Sequence, residues 1–135
     1  MKTIARAEVR SAGPHYRHDI RTGAHALVAD EPFAQGGLNA GPAPFDYVLA
    51  GLGACTAITL RMYAEKKRWE LGELTVGLEL QRDIDGNTRV QRTLRAGAVL
   101  DDEQWTRLLD IAARTPVTLA LQNGMTIATR RAGAG

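Results

Sequence analysis

Residues 51–67, GLGACTAITLRMYAEKK, contain the single cysteine of this 135-residue chain, Cys55. They continue an uncharged stretch, residues 47–60, that is too short to span a bilayer and is typical of a buried helix. Proline suits the first turn of a helix, so we expect this helix to begin near Pro44 and to end near Trp69. Its first half is apolar nearly all round, which predicts burial on every side.

Strand patterns precede this helix. Residues 2–10, 15–23 and 24–30 favour β structure and are separated by turn-forming residues. Residues 30–44 then contain too many glycines and prolines for regular structure. A connection of this length is often functional or covered by a partner.

A hairpin and two helices are predicted after it. Residues 73–83 and 88–100 flank an Asp85-Gly86 turn and favour two antiparallel strands. Asp101 with Gln104 forms a capping-box pattern for a helix that stops at Thr115. Thr115 is a favourable N-cap for a short helix closed by Gly124, and residues 125–130 predict a last strand.

The order of these elements predicts an α+β fold, with antiparallel sheets around a long central buried helix, in a single domain over residues 1–135. The net charge of +2 is too small to imply nucleic-acid binding without a concentrated basic patch. Arg89, Arg92 and Arg95 are a candidate for such a patch, but we expect a solvated strand face. The sequence thus predicts neither a nucleic-acid partner nor a membrane partner.

Compartment and metal content follow from the cysteine and histidine content. One cysteine cannot form an internal disulfide, and the first ten residues lack the apolar core of a signal peptide, so we expect a cytoplasmic protein. The three histidines, at positions 15, 18 and 25, have no accompanying cysteine or carboxylate pattern that would predict a metal site.

Cys55 has two interpretations. Free cysteine usually packs as a small apolar residue, and its helical neighbours (Gly51, Leu52, Ile58 and Thr59) include no base and no cation. Asp46 lies nine residues earlier, on the opposite side of an ideal helix. A reactive thiol would therefore need a cation from elsewhere, and we expect it among the basic residues of the first strands, Arg17, His18, Arg21 and His25.

Three stretches together resemble the OsmC/Ohr family over nearly the whole chain. They are residues 18–42, HDIRTGAHALVADEPFAQGGLNAGP; residues 41–71, GPAPFDYVLAGLGACTAITLRMYAEKKRWEL; and residues 100–121, LDDEQWTRLLDIAARTPVTLAL. The resemblance implies an intertwined homodimer whose active sites lie at the subunit interface.

The resemblance also implies a chemistry. Family members that act as thiol peroxidases use one cysteine to attack an organic hydroperoxide and a second to convert the resulting sulfenic acid into a disulfide, which an external dithiol reduces. Cys55 matches the first cysteine, whereas Thr115 occupies the position of the second. For the arginine beside the thiolate the expected residue is Arg17. The glutamate that holds it would fall at Phe45, which leaves the neighbouring Asp46 for that role.

Two functions are therefore weighed. The first is a one-cysteine, thiol-dependent reduction of organic hydroperoxides or peroxide in oxidative-stress defence, with Cys55, Arg17 and Asp46 as catalytic residues, an external thiol reductant and no cofactor. The second is a non-catalytic relative that binds a small apolar ligand at the dimer interface. A partly accessible Cys55 beside a cation would favour the first function, and a cysteine with only apolar contacts the second. A purely structural role has no specific feature in its favour.

Overall fold

The computed structural model describes residues 1–133, which divide into two compact units. The boundary between the units, after Ala50, falls within the longest element, helix α1 (Pro44–Lys67). The helix begins at Pro44 as predicted, and it ends two residues before Trp69 because Arg68 adopts a left-handed backbone conformation with φ of 59°.

The first unit contains a three-stranded antiparallel sheet in the order β1 (Glu8–Ser11), β2 (His18–Thr22) and β3 (His25–Ala29). Gly23, with φ of 57°, lies in the tight turn between β2 and β3. The prediction of a strand from residue 2 onward is wrong for residues 2–7. Glu8 pairs with Arg21, and β2 ends one residue later at Thr22. Residues before Glu8 therefore have almost no β2 residues opposite them to pair with.

The connection from β3 to α1 is organised around a buried carboxylate. Apart from one turn of 3-10 helix (Phe33–Gln35) it is irregular, as predicted. The two oxygens of Asp30 accept backbone N–H bonds from Glu31 at 2.8 Å, Ala40 at 3.0 Å and Leu38 at 3.3 Å. These bonds lower the pKa of Asp30, the one from Ala40 most, and the charge of Arg17 acts in the same direction against the opposing effect of burial.

Asp30→Asn is therefore expected to lower the melting temperature at pH 7. A carboxyl group whose pKa is depressed in the folded state contributes stability above its unfolded pKa of 3.8, and that stability is lost as the pH falls through the folded value. The difference between the two proteins should shrink as the pH is lowered below about 4. Thermal melts from pH 3 to pH 7 measure it. Glu70→Gln, the same charge change at an exposed position, is the control; equal melting temperatures for Asp30→Asn and its parent at pH 7 would contradict the expectation.

The second unit packs one stripe of α1 against a hairpin and two helices. The hairpin pairs β4 (Leu74–Arg82) with β5 (Thr88–Ala96), and the helices are α2 (Asp102–Ala112) and α3 (Pro116–Asn123). Both sides of the predicted capping box are present at the start of α2. β5 ends before Gly97 rather than at residue 100, because Gly97 and Ala98 bond back to Glu73 and Leu71. The core cluster consists of Leu60, Ala64, Leu71, Leu108 and Ala112.

Burial of α1 on every side, as the sequence predicted, does not occur within one chain. The buried residues form a stripe spaced by about four positions, whereas other apolar side chains of the same helix, including Ile58 and Met62, are exposed. Residues 1–133 supply packing elements for that stripe and leave these other side chains uncovered. The helix α1 is long enough and apolar enough to cross a membrane. Core helices of soluble proteins often meet the same criteria of length and composition, so this is weak evidence for a membrane span.

The last predicted strand is likewise wrong within the described residues. Residues 124–133 form no strand, and Met125 and Ile127 are exposed. A strand requires a pairing partner, and in the part of the chain that the structure describes none lies beside this segment.

Candidate functional site

Cys55 lies on α1 and is half-buried, with its thiol free. It stands next to the buried stripe of the helix, where Gly53 permits an unusually close approach of the hairpin. A Cβ atom at position 53 would lie 2.7 Å from Cδ1 of Leu78 on β4. Because Leu78 pairs with Arg92 on β5, the same approach brings Arg92 to the cysteine-bearing part of α1.

The Arg92 guanidinium is fixed by three hydrogen bonds. Its Nη1 donates to Oγ1 of Thr56 at 2.9 Å and to Oγ1 of Thr118 at 2.8 Å, and its Nη2 donates to the carbonyl oxygen of Ala112 at 2.8 Å. Thr56 directly follows Cys55, and its own hydroxyl donates to the carbonyl oxygen of Leu52, so its oxygen is oriented to accept from Arg92. One side chain thus connects α1, α2, α3 and β5.

The position of Arg92 corrects the expectation of a solvated arginine face. Side chains alternate between the two faces of a strand, so residues three apart lie on opposite faces. Arg89 and Arg95 are exposed, whereas Arg92 is half-buried on the face that packs inward. This strand parity was available in the sequence, and it would have singled out Arg92 as a charge on the apolar face of the hairpin.

Thr115 continues the polar cluster. It is the N-cap residue of α3, as predicted, but its side chain makes no capping hydrogen bond. Its buried hydroxyl instead lies 2.6 Å from Oγ1 of Thr118, which in turn accepts from Arg92. The position expected to match the second cysteine is therefore linked by two hydrogen bonds to the arginine that contacts the neighbour of Cys55.

Burial and charge act on Arg92 in opposite directions. Removal from water lowers the pKa of the guanidinium from its usual value, and the charge interaction with Cys55 raises it. The net direction is downward, yet an arginine stays protonated throughout the physiological range. Arg92 is consequently a permanent cation that is hydrogen-bonded to the residue next to Cys55.

Arg17 and Asp46 both belong to the first unit. Nη2 of Arg17 lies 3.6 Å from a carboxylate oxygen of Asp19. Asp46, in the first turn of α1, accepts a 2.9 Å hydrogen bond from the backbone N–H of Ala43, which satisfies one donor at the helix start. Catalytic roles for these two residues remain predictions. Within residues 1–133 no group of three or more His, Cys, Asp or Glu side chains could hold a metal ion.

The family assignment follows from the comparison with known protein families. A model described as OsmC-like protein matches residues 36–130, a range that includes α1, Cys55, the hairpin and both later helices. This chain belongs to the OsmC family. The resemblance carried by residues 41–71 and 100–121 is thereby confirmed.

Solved structures of OsmC-like proteins share the fold. A proposed osmotic stress induced and detoxification response protein from Psychrobacter arcticus 273-4 is 17% identical, with a TM-score of 0.76 over 89% of this chain and 90% of that one. The organic hydroperoxide resistance protein OsmC from Legionella pneumophila is 18% identical, with a TM-score of 0.65 over 89% and 90%. The organic hydroperoxide resistance protein OhrB of Bacillus subtilis is 23% identical, with a TM-score of 0.61 over 89% and 91%.

These similarities confirm the α+β fold with two antiparallel sheets and a long helix. Among curated proteins, none matches the chain. The comparisons thus establish the family and the fold of this chain.

Proposed function

We propose that this OsmC-like protein reduces organic hydroperoxides through Cys55, as a one-cysteine enzyme that depends on an external thiol. One observation carries the proposal: Cys55 is half-buried rather than enclosed, and the residue that follows it, Thr56, accepts a 2.9 Å hydrogen bond from the charged guanidinium of Arg92. A thiolate is the nucleophilic form of cysteine, and a nearby cation together with partial exposure favours it. Structural similarity to hydroperoxide resistance proteins supports the same chemistry.

The reaction requires one nucleophile and one reductant. The Cys55 thiolate attacks the terminal oxygen of the hydroperoxide, the O–O bond breaks, and the products are a sulfenic acid and an alkoxide that leaves as the alcohol after taking up a proton. An external dithiol then returns the sulfenic acid to the thiol, releasing water and becoming a disulfide itself. Because Thr115 cannot resolve the sulfenic acid, the reductant acts directly on Cys55.

The alternative function, binding of a small apolar ligand without chemistry, would be favoured by a Cys55 with only apolar contacts. The half-buried cysteine, with Arg92 bonded to the adjacent Thr56, favours the catalytic function instead.

Hydroperoxide consumption tests the proposal directly. Purified protein is mixed with cumene hydroperoxide and an excess of dithiothreitol, and the remaining hydroperoxide is measured over time. We expect many hydroperoxide molecules to be consumed per protein molecule. Consumption that does not exceed the rate of dithiothreitol alone would overturn the proposal.

We further propose that the protein is a homodimer. Apolar side chains remain exposed on α1 (Ile58 and Met62) and on α3 (Leu119 and Leu121), and only 28% of the most apolar window of α1 is buried within one chain. Burial of such surface by a second copy would be favourable, and large apolar interfaces are typical of obligate dimers.

Sedimentation equilibrium should therefore give twice the mass of one chain, which is 14.6 kDa. Met62→Glu is expected to weaken the association because it places a charge in the proposed interface. Gln91→Glu, which adds the same charge at an exposed position of β5, is the control. A folded monomer at micromolar concentration would contradict the dimer.

A further inference from the structure

The inward face of the β4–β5 hairpin is apolar except at one position. Its half-buried residues on β4 are Leu74, Val76, Leu78 and Leu80, and on β5 they are Val90, Arg92, Leu94 and Ala96. A charged group in such a face loses part of its hydration, which costs free energy unless the group has compensating partners.

The partners of Arg92 are all neutral. Among residues 1–133 it forms no ion pair, and its three hydrogen bonds go to two hydroxyl oxygens and one carbonyl oxygen. These bonds use three of the five N–H donors of a guanidinium. Nε and the second N–H of Nη2 have no hydrogen-bond partner among the described residues. The positive charge is thus fixed in place without being neutralised.

Other charged side chains on the surrounding elements lie elsewhere. On β4, β5 and α2 the remaining charged residues are exposed, and α3 contains none. On α1, Arg61 donates to the carbonyl oxygen of Gly72, and the other charged residues of the helix are exposed. Arg92 is therefore the charged group of these elements that is held at the cysteine-bearing part of α1.

We propose that Arg92 is the positioning residue that supplies positive charge to the Cys55 thiolate, and that Thr56 and Thr118 hold its guanidinium for this purpose. This assigns to β5 the role that the family resemblance placed on Arg17 of the first strands. The inference rests on the proposed function only in naming Cys55 as the reacting group. The placement of the charge is a property of the resting protein.

The test is the pH profile of Cys55 alkylation by iodoacetamide, which reacts with the thiolate and requires no peroxide. For Arg92→Met we expect the midpoint of the profile to move to higher pH, since the loss of a nearby positive charge disfavours the ionised thiol. Arg92→Lys should shift the midpoint less, because it retains the charge and loses the fixed geometry.

Variants of Thr118 test the positioning separately. Thr118→Val removes the hydroxyl that accepts from Arg92 and should move the midpoint upward by a smaller amount, whereas Thr118→Ser should restore the parent profile. Arg89→Met, which removes an exposed arginine of the same strand, should leave the profile unchanged.

An unchanged midpoint in folded Arg92→Met overturns the proposal, and so does an equal shift in Arg89→Met. If Arg92→Met fails to fold, Arg92→Lys and Thr118→Val decide, and unchanged midpoints in both overturn it. A parent protein that consumes no hydroperoxide while the variants shift as expected would contradict the proposed function and support the role of Arg92. A parent protein that consumes hydroperoxide, together with variants whose midpoints do not shift, would support the proposed function and contradict the role of Arg92.

Discussion

Replacement of Cys55 by serine abolishes hydroperoxide consumption, a loss on the order of 100-fold or more, if Cys55 is the nucleophile. A serine hydroxyl does not ionise at neutral pH and cannot be oxidised by a hydroperoxide, so no slower route through the same side chain remains. Because Cys55 is half-buried, the exchange of sulfur for oxygen is expected to change the free energy of unfolding by less than about 1 kcal/mol. The measurements are hydroperoxide loss in the presence of dithiothreitol and a denaturant melt.

Thr106→Ser provides the control, since it introduces a serine at an exposed position of α2 and leaves the thiol in place. It should retain the parent activity. A Cys55→Ser protein that consumes hydroperoxide at the parent rate excludes Cys55 as the reacting residue.

Thr115→Cys should convert the protein from a one-cysteine to a two-cysteine arrangement. Thr115 is buried at the start of α3 and is linked through Thr118 and Arg92 to Thr56, the neighbour of Cys55. After peroxide treatment we expect a disulfide between positions 55 and 115, provided that the two Cα atoms approach within about 7 Å. The parent protein, which has no second thiol, should proceed to sulfinic acid under excess peroxide.

Intact-mass and peptide mass spectrometry across a peroxide titration distinguish these products. Thr106→Cys, at an exposed position of α2, adds a thiol without placing it in the cluster and should give no bridge to Cys55 within one chain. If Thr115→Cys forms no bridge with any oxidant, the match of Thr115 to the second cysteine position is wrong.

Local sequence signals predicted much of the fold because they act through neighbouring residues. Pro44 starts α1, Asp101 and Gln104 cap α2, and Gly86 with φ of 88° lies in the turn of the hairpin. Each of these features depends on the backbone within a few positions. Where a feature depends on a distant partner, the prediction failed: residues 125–130 have a strand pattern but no neighbouring strand among residues 1–133.

In the candidate site, too, features set by neighbouring residues were predictable and features that depend on distant partners were not. Cys55 was identified from the family resemblance, and its exposure depends on packing that the sequence does not give. The strand parity that distinguishes Arg92 from Arg89 and Arg95 was present in the sequence, but its hydrogen bonds to α1, α2 and α3 were not. Those contacts span 20 to 36 residues along the chain, a separation over which periodicity carries no information.

The central claim is that Cys55 is oxidised by an organic hydroperoxide to a sulfenic acid, and dimedone trapping measures that species directly. The protein is treated with one equivalent of cumene hydroperoxide in the presence of dimedone, and the adduct is located by peptide mass spectrometry. We predict one dimedone adduct per chain, on the peptide that contains Cys55, with no adduct when hydroperoxide is omitted. An unmodified Cys55 thiol, with the hydroperoxide still present at the end of the reaction, would contradict the account.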